Sequence, residues 1–358
     1  MNRFFAVLFT ALLACGASLA HGKGSIYDSK RLIQTSPAEK HWMTEAEIHG
    51  LIAKHVHFRD ITDIQDLRPV ANLAATDFPT DLSHQTQVNA LLPSVNADMP
   101  RSVLANFSSF TNRYYNSDNG KASSAWLLNT IKSTVPGVNA TAFAHSFPQS
   151  SIIAHVQGST KPNEIVVISA HQDSINQNDP YNGQAPGADD DGSGTVTILE
   201  ALRVFAASGL KPARSVEFHW YAGEEAGLLG SADITKAYQS KSVVADLQFD
   251  MTGYPLDPPA VGIVTDYTDS DTNALLRKIV AAYTDLPTID FQCGYACSDH
   301  ASWNAIGVRS ALPAENQYVD GNGNIHSEND SFDTVNFDHL VKYAKIALGF
   351  IVEVADAQ

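Results

Sequence analysis

Between residues 151 and 354 the apolar positions alternate between two rhythms. Short apolar runs predict strands at Ser151–Val156, Glu164–Ala170, Ser215–Tyr221, Val244–Phe249, Ala260–Thr265 and Val308–Leu312. Among them, apolar residues at three- and four-residue spacing predict helices near Gly194–Ala207, Ser231–Ser240 and Thr272–Thr284, with a final one over Asp338–Val354. Upstream, Met99–Tyr115 and Ala122–Thr134 show the same helical spacing. A continuous run such as Ile165-Val166-Val167-Ile168 fits the interior of a sheet covered on both faces. The expected fold class is α/β, a mostly parallel mixed sheet sandwiched between helices.

Residues 21–78 have a different character. His41-Trp42-Met43-Thr44 opens a short helical pattern through Ile52, strand-like runs are few, and the segment ends in turn-rich Ala75-Thr76-Asp77-Phe78-Pro79. Ahead of it, Phe4–Cys15 is a twelve-residue apolar run after Arg3, too short to span a bilayer. It reads as a signal peptide over residues 1–20, with Ser18 and Ala20 as the small residues before cleavage at His21. The alternative is lipid attachment at Cys15, since Leu12-Leu13-Ala14-Cys15 resembles a bacterial lipobox. Either way the chain is expected to be exported. Residues 21–78 then read as a propeptide and 79–358 as a catalytic domain, the alternative being an N-terminal arm packed permanently on that domain.

With 44% apolar and 17% charged residues, the composition excludes disorder and a membrane bundle. The net charge of −16 argues against nucleic acid or an anionic membrane as partner and leaves room for cations. Once Cys15 departs, Cys293 and Cys297 remain as a pair that an oxidising compartment could close into a small loop around Tyr295. Sequons at Asn106, Asn139 and Asn329 matter only in a eukaryotic host.

Candidate chemistry sits where the strands end. One strand runs into His171-Gln172-Asp173, a second into Gly223-Glu224-Glu225 and a third into Asp250. Carboxyl ends of strands are where open α/β sheets build their sites. A further contribution is the loop Asp189-Asp190-Asp191, whose three adjacent acids repel one another unless a cation or the following helix N-terminus offsets them. Each piece alone is commonplace; their convergence points to a metal centre. Both His300 and His326 follow the last acidic ligand, and residue pattern alone leaves open which imidazole belongs to it.

The segments SAHQDS, APGADDDGSG, YAGEEAGLLGS, LQFDMTGY, CGYACSDHASW and NIHSEND resemble those of the secreted, co-catalytic dizinc aminopeptidases of the M28 peptidase family. The likeness runs from about Pro79 to the C-terminus. It implies the zinc-dependent exopeptidase fold, a phosphorylase/hydrolase-like architecture, and an N-terminal propeptide that assists folding or restrains activity. It also implies two zinc ions per chain, one on His171 and Asp250, the other on Glu225 and His326, with Asp190 bridging them; His300 becomes a structural neighbour. Such a set leaves the open coordination of a catalytic site. By the same resemblance Glu224 is the general base, Asp173 orients His171, and Tyr295 hydrogen-bonds the oxyanion. A cis peptide between Asp190 and Asp191 is implied as well.

The activity implied is removal of N-terminal residues from peptides whose free α-amino group binds near Asp250. The first side chain would meet Met251 and Tyr318, and Ala314, small where relatives carry an aromatic ring, would widen the pocket to accept Leu, Phe and Met. A monomer is expected. Rival readings are a carboxypeptidase or glutaminyl cyclase of the same fold, and a non-catalytic binding ectodomain, which would lack the base or a ligand. The remaining histidines, His145, His155 and His219 among them, read as packed or solvated.

Overall fold

A computed structural model of the chain describes residues 30–36, 38–65, 67, 77–255, 257–315 and 321–356. The signal-peptide reading, Cys15 and Tyr318 fall outside them. In chain order the elements begin with strands β1 (Arg31–Ser36) and β2 (Glu39–Met43), helix α1 (Glu45–Ile52) and strand β3 (Arg59–Asp60). Helices α2 (Gln85–Leu91), α3 (Asp98–Phe107) and α4 (Asp118–Thr134) precede strands β4 (Asn139–Phe143), β5 (Ser151–Val156) and β6 (Lys161–His171). Helix α5 (Gly192–Ser208) leads to β7 (Arg214–Tyr221), α6 (Leu229–Ala237) and β8 (Ser242–Gln248). Then come β9 (Val261–Val264), α7 (Ser270–Tyr283), β10 (Thr288–Phe291), α8 (His300–Ala305), β11 (Arg309–Ala311), β12 (Pro313–Ala314) and α9 (Phe337–Val354).

The main sheet has the order β11-β8-β6-β7-β5-β4. Strands β11, β8, β6 and β7 are parallel, and β5 and β4 finish one edge antiparallel. Alternation along β6 divides its two faces. Val166, Ile168 and Ala170 join the core made with Leu104 and Phe107 of α3, Val196 and Leu199 of α5, and Leu340 and Ala347 of α9. Ile165 and Val167 face Ile234, Tyr238, Trp303 and Ile306 around α6 and α8. Each fully buried apolar side chain of this size contributes roughly 1.5–3 kcal/mol relative to exposure, and the polar residues these strands do bury, such as Ser169 and Asp246, are hydrogen-bonded to one another at 2.6 Å. The mixed, mostly parallel sheet between helices is the fold class the patterning predicts.

The structure departs from the patterning at several boundaries. The expected helix Met99–Tyr115 stops at Phe107, because Ser108 and Ser109 hydroxyls donate to the carbonyls of Leu104 (2.8 Å) and Asn106 (2.6 Å) and end the ladder. Helix α4 starts at Asp118, ahead of the expected Ala122, since Ser117 Oγ caps it by accepting the Gly120 N–H at 3.0 Å. His41–Met43 lie in β2, not in a helix, because Thr44 and Glu47 form a capping box that starts α1 at Glu45. Strands β1, β2, β3, β4, β10 and β12 are additional to the expected set.

The N-terminal arm is itself a small antiparallel sheet, ordered β2-β1-β3, with α1 beside it. Ile33, Ile48 and Ile52 of the arm share a core with Tyr114, Tyr115, Phe147, Ile175 and Ala226. Arg31 donates to Asp60 at 2.6 Å and to the carbonyl of Ala226 at 2.9 Å, while the Asp60 N–H donates to the Gly227 carbonyl at 3.0 Å. Gly227 has φ +100°, and a Cβ there would sit 2.8 Å from Asp60 N and 3.0 Å from the Phe58 ring, so only glycine lets the arm approach.

Candidate metal centre

Parallel strands β6, β7 and β8 end side by side, and their next residues converge. His171 Nε2 lies 3.0 Å from Asp190 Oδ1 and 3.6 Å from Asp250 Oδ1. His326 Nε2 lies 3.0 Å from Asp190 Oδ2 and 3.1 Å from Glu225 Oε2. Two groups of ligand atoms result, His171 with Asp190 and Asp250, and Asp190 with Glu225 and His326, the atoms of each lying within 4.8 Å of one another. Asp190 turns one oxygen to each imidazole, the disposition of a bridging carboxylate.

Burial and crowding give these groups unusual proton affinities. Burial pushes Glu225 up to about 7 and Glu224 well above the carboxylate range. Asp190, despite its burial, is held well below that range by hydrogen bonds from His171 and His326. The two imidazoles are raised, as surrounding carboxylates outweigh the burial that would lower them. Imidazole nitrogen and carboxylate oxygen are donors that zinc takes, so the residues brought together here fit a zinc site.

The scaffold behind these side chains is specific. Asp191 caps α5, its Oδ1 accepting the Gly194 N–H at 2.9 Å and its Oδ2 the His171 N–H at 3.0 Å. The Asp190–Asp191 peptide is cis. Asp173 lies with Oδ1 3.4 Å from His171 Nδ1, and its two oxygens also accept the N–H groups of Glu224 (3.1 Å) and Glu225 (3.2 Å). One carboxylate therefore backs one candidate ligand and fixes the backbone of another. His326 takes φ +58°, and its Nδ1 meets the Gln177 side-chain amide at 2.8 Å.

Two supports lay beyond sequence reasoning. Arg113 is wholly buried over the Phe107 ring and donates to the carbonyls of Gln172, Pro186 and Gly187, pinning the loop that carries the aspartate triplet. Gly187, at φ +52°, could not carry a Cβ, which would come within 2.7 Å of Arg113 Nη2. Asp330 accepts the N–H groups of Asp189 (2.9 Å) and Asp190 (3.0 Å). Asp330 stood within the NIHSEND segment, so a signal existed; Arg113 gave none, because its partners are carbonyls that any residue could supply.

A cavity of about 490 Å³ opens over the cluster, lined by Asp190, Glu224, Glu225, Asp250, Met251 and Tyr295 among others. A disulfide joins Cys293 to Cys297, and Asp266 accepts the N–H groups of Cys293 (3.0 Å) and Gly294 (2.7 Å). Burial and the nearby Glu224 raise the Tyr295 phenol, keeping it a donor. The arm contributes Ile52, Val56, His57 and Phe58 to the same cavity. Ala314 does not line it: the residue is buried in β12, where its carbonyl accepts the Tyr343 hydroxyl at 2.7 Å. His300 is also apart from the cluster, buried in α8, with burial and Arg59 lowering it to about 3.

The pattern common to Peptidase family M28 matches residues 151–351. Leucine aminopeptidase 1 of Arthroderma otae is 41% identical over 373 aligned residues, covering 97% of this chain and 99% of that protein. Among solved structures, the LapA aminopeptidase of Legionella pneumophila is similar at 30% identity and a TM-score of 0.77, over 87% of this chain and 90% of that one. LapB from the same organism matches at 26% identity and a TM-score of 0.78, over 91% and 94%.

Proposed function

The chain belongs to Peptidase family M28, and from that premise we propose that it is an exported dizinc aminopeptidase releasing leucine and other apolar residues from peptides with a free N-terminus. The observation that carries this reading is the pair of half-sites sharing Asp190. His171 and Asp250 would hold one zinc and Glu225 and His326 the other. Zinc held there supplies Lewis-acid polarisation of the scissile carbonyl and a water acidified for attack.

The remaining work falls to the chain's own groups. Glu224, beside a ligand but turned into the cavity, takes the attacking water's proton and returns it to the leaving amine. Tyr295 donates to the developing oxyanion from its disulfide-closed loop. Asp250 marks where the α-amino group binds, which restricts cleavage to the first residue. Met251, from the cavity wall, meets the first side chain, and Leu, Phe and Met are accepted.

The arm acts as a propeptide. It walls part of the cavity with Ile52, Val56 and Phe58, so its removal widens access.

Hydrolysis of a Leu-anilide, followed as isolated, after chelation and after zinc return, tests the reading alongside Glu224→Ala and a metal count. Activity lost and regained with two zinc ions per chain, and absent from the variant, is expected. Failure on every free-amino substrate with both metals bound would move the assignment to another amidohydrolase of the fold.

A further inference from the structure

Away from the metal cluster, Ser151, His145 and Asp233 form a line of hydrogen bonds. Ser151 Oγ is 2.7 Å from His145 Nε2, and His145 Nδ1 is 2.8 Å from Asp233 Oδ2. Serine, imidazole and carboxylate in that order recur around hydrolytic nucleophiles. Here, however, Ser151 is wholly buried, and its Oγ already accepts the Ala222 N–H at 3.0 Å. No side of the hydroxyl is left for a carbonyl to approach.

With the Ala222 N–H on one lone pair of Oγ, the Ser151 hydroxyl and the Asp233 carboxylate each hold one ring nitrogen of His145. The imidazole is the middle of this relay, stacked on Phe147 with ring centroids 4.6 Å apart and tilted against Phe143 at 5.2 Å.

What the relay holds is the approach to Glu224. Ala222 immediately precedes the Gly223-Glu224-Glu225 turn, and Asp233 stands on α6, where the turn ends. Within the turn, the Leu229 N–H donates to Gly223 (3.0 Å) and the Leu228 N–H to Glu224 (2.9 Å). Asp173 grips its middle and the relay ties its two ends together. We infer that Ser151, His145 and Asp233 are positioning residues that aim Glu224 and Glu225, an inference resting on the roles proposed above for those two glutamates.

The test uses the full chain, assayed with a Leu-anilide before and after limited proteolysis of the arm, with bound metal counted. Ser151→Ala removes one oxygen and, at saturating zinc, should lower kcat about 10- to 100-fold, while KM holds and exchange of the Ala222 amide accelerates. Asp233→Asn, at the partly exposed end of the relay, keeps an acceptor for Nδ1–H and should lose less. A folded Ser151→Ala chain with unchanged kcat overturns the inference. So does covalent labelling of Ser151 by a fluorophosphonate, which would make it a nucleophile. Glu224→Ala is the reference: full activity there defeats the reading of Glu224, whereas a dead reference beside an unaffected Ser151→Ala defeats only the relay.

Discussion

The imidazole of His57 lies stacked on the phenol ring of Tyr295, their centroids 4.0 Å apart and their planes 20° from parallel. The arm thus touches the very ring proposed to face the reacting carbonyl. A stacked pair contributes about 0.5–1.5 kcal/mol beyond its buried area. His57→Ala should raise turnover of the intact chain about 2- to 10-fold and leave turnover after arm removal unchanged. Rates on a Leu-anilide before and after limited proteolysis check this; an unchanged ratio would mean that the arm does not gate the cavity through this contact.

Arg113→Met should be among the most damaging single changes. Methionine can cover Phe107 but leaves the carbonyls of Gln172, Pro186 and Gly187 without their donor. Losing the charged partner of buried acceptors costs about 3–5 kcal/mol. Urea denaturation should report a loss of that order, accompanied by weaker metal binding. A loss below about 1 kcal/mol would show that water replaces the guanidinium.

Asp173→Asn keeps the shape but has one oxygen where two backbone N–H groups now find acceptors. Metal affinity or kcat should fall about 10- to 100-fold. Chelator competition combined with steady-state kinetics separates the two, and no change in either would remove Asp173 from the centre.

In the metal-free chain, stability should decline as pH rises from about 4 to 8. Burial raises Asp189 to about 6 and Asp330 to about 8. Across that window the folded chain keeps protons that the unfolded chain has released, so raising the pH favours unfolding. His171 and His326, also raised, add the same sign once the unfolded imidazoles have deprotonated. Below pH 4 the slope reverses, because Glu217, despite its burial, is held far below the usual range by hydrogen bonds with His155 and His219. Thermal melts with chelator present should show the decline, and zinc, which prefers deprotonated ligands, should flatten it.

The central sheet was legible because β6 and β8 carry short apolar runs and β7 has apolar residues at alternate positions, all in buried backbone. The ligand candidates stood out by position, since His171 ends β6 and Glu225 and Asp250 come shortly after β7 and β8. The arm was less legible: β2 is almost wholly exposed, so no apolar alternation marks it. Ala314 was misplaced because a two-residue strand leaves no periodic trace, and β12 carries it into the core. The Ser151–His145–Asp233 line was invisible because its members lie on unrelated elements and each has an ordinary local reading.

Asp330 grips the amides of Asp189 and Asp190 across a separation of more than 140 residues of chain for one and 140 for the other. His326, four positions before it, faces the side chain of that same Asp190. During synthesis the arm is made first, and His171, Asp190, Glu225 and Asp250 follow, yet the clamp on Asp190 cannot close until residue 330 has emerged. A product truncated between Asp250 and His326 carries the acids without their keystone. The arrangement around Asp190 is therefore completed only after every strand of the main sheet has been made.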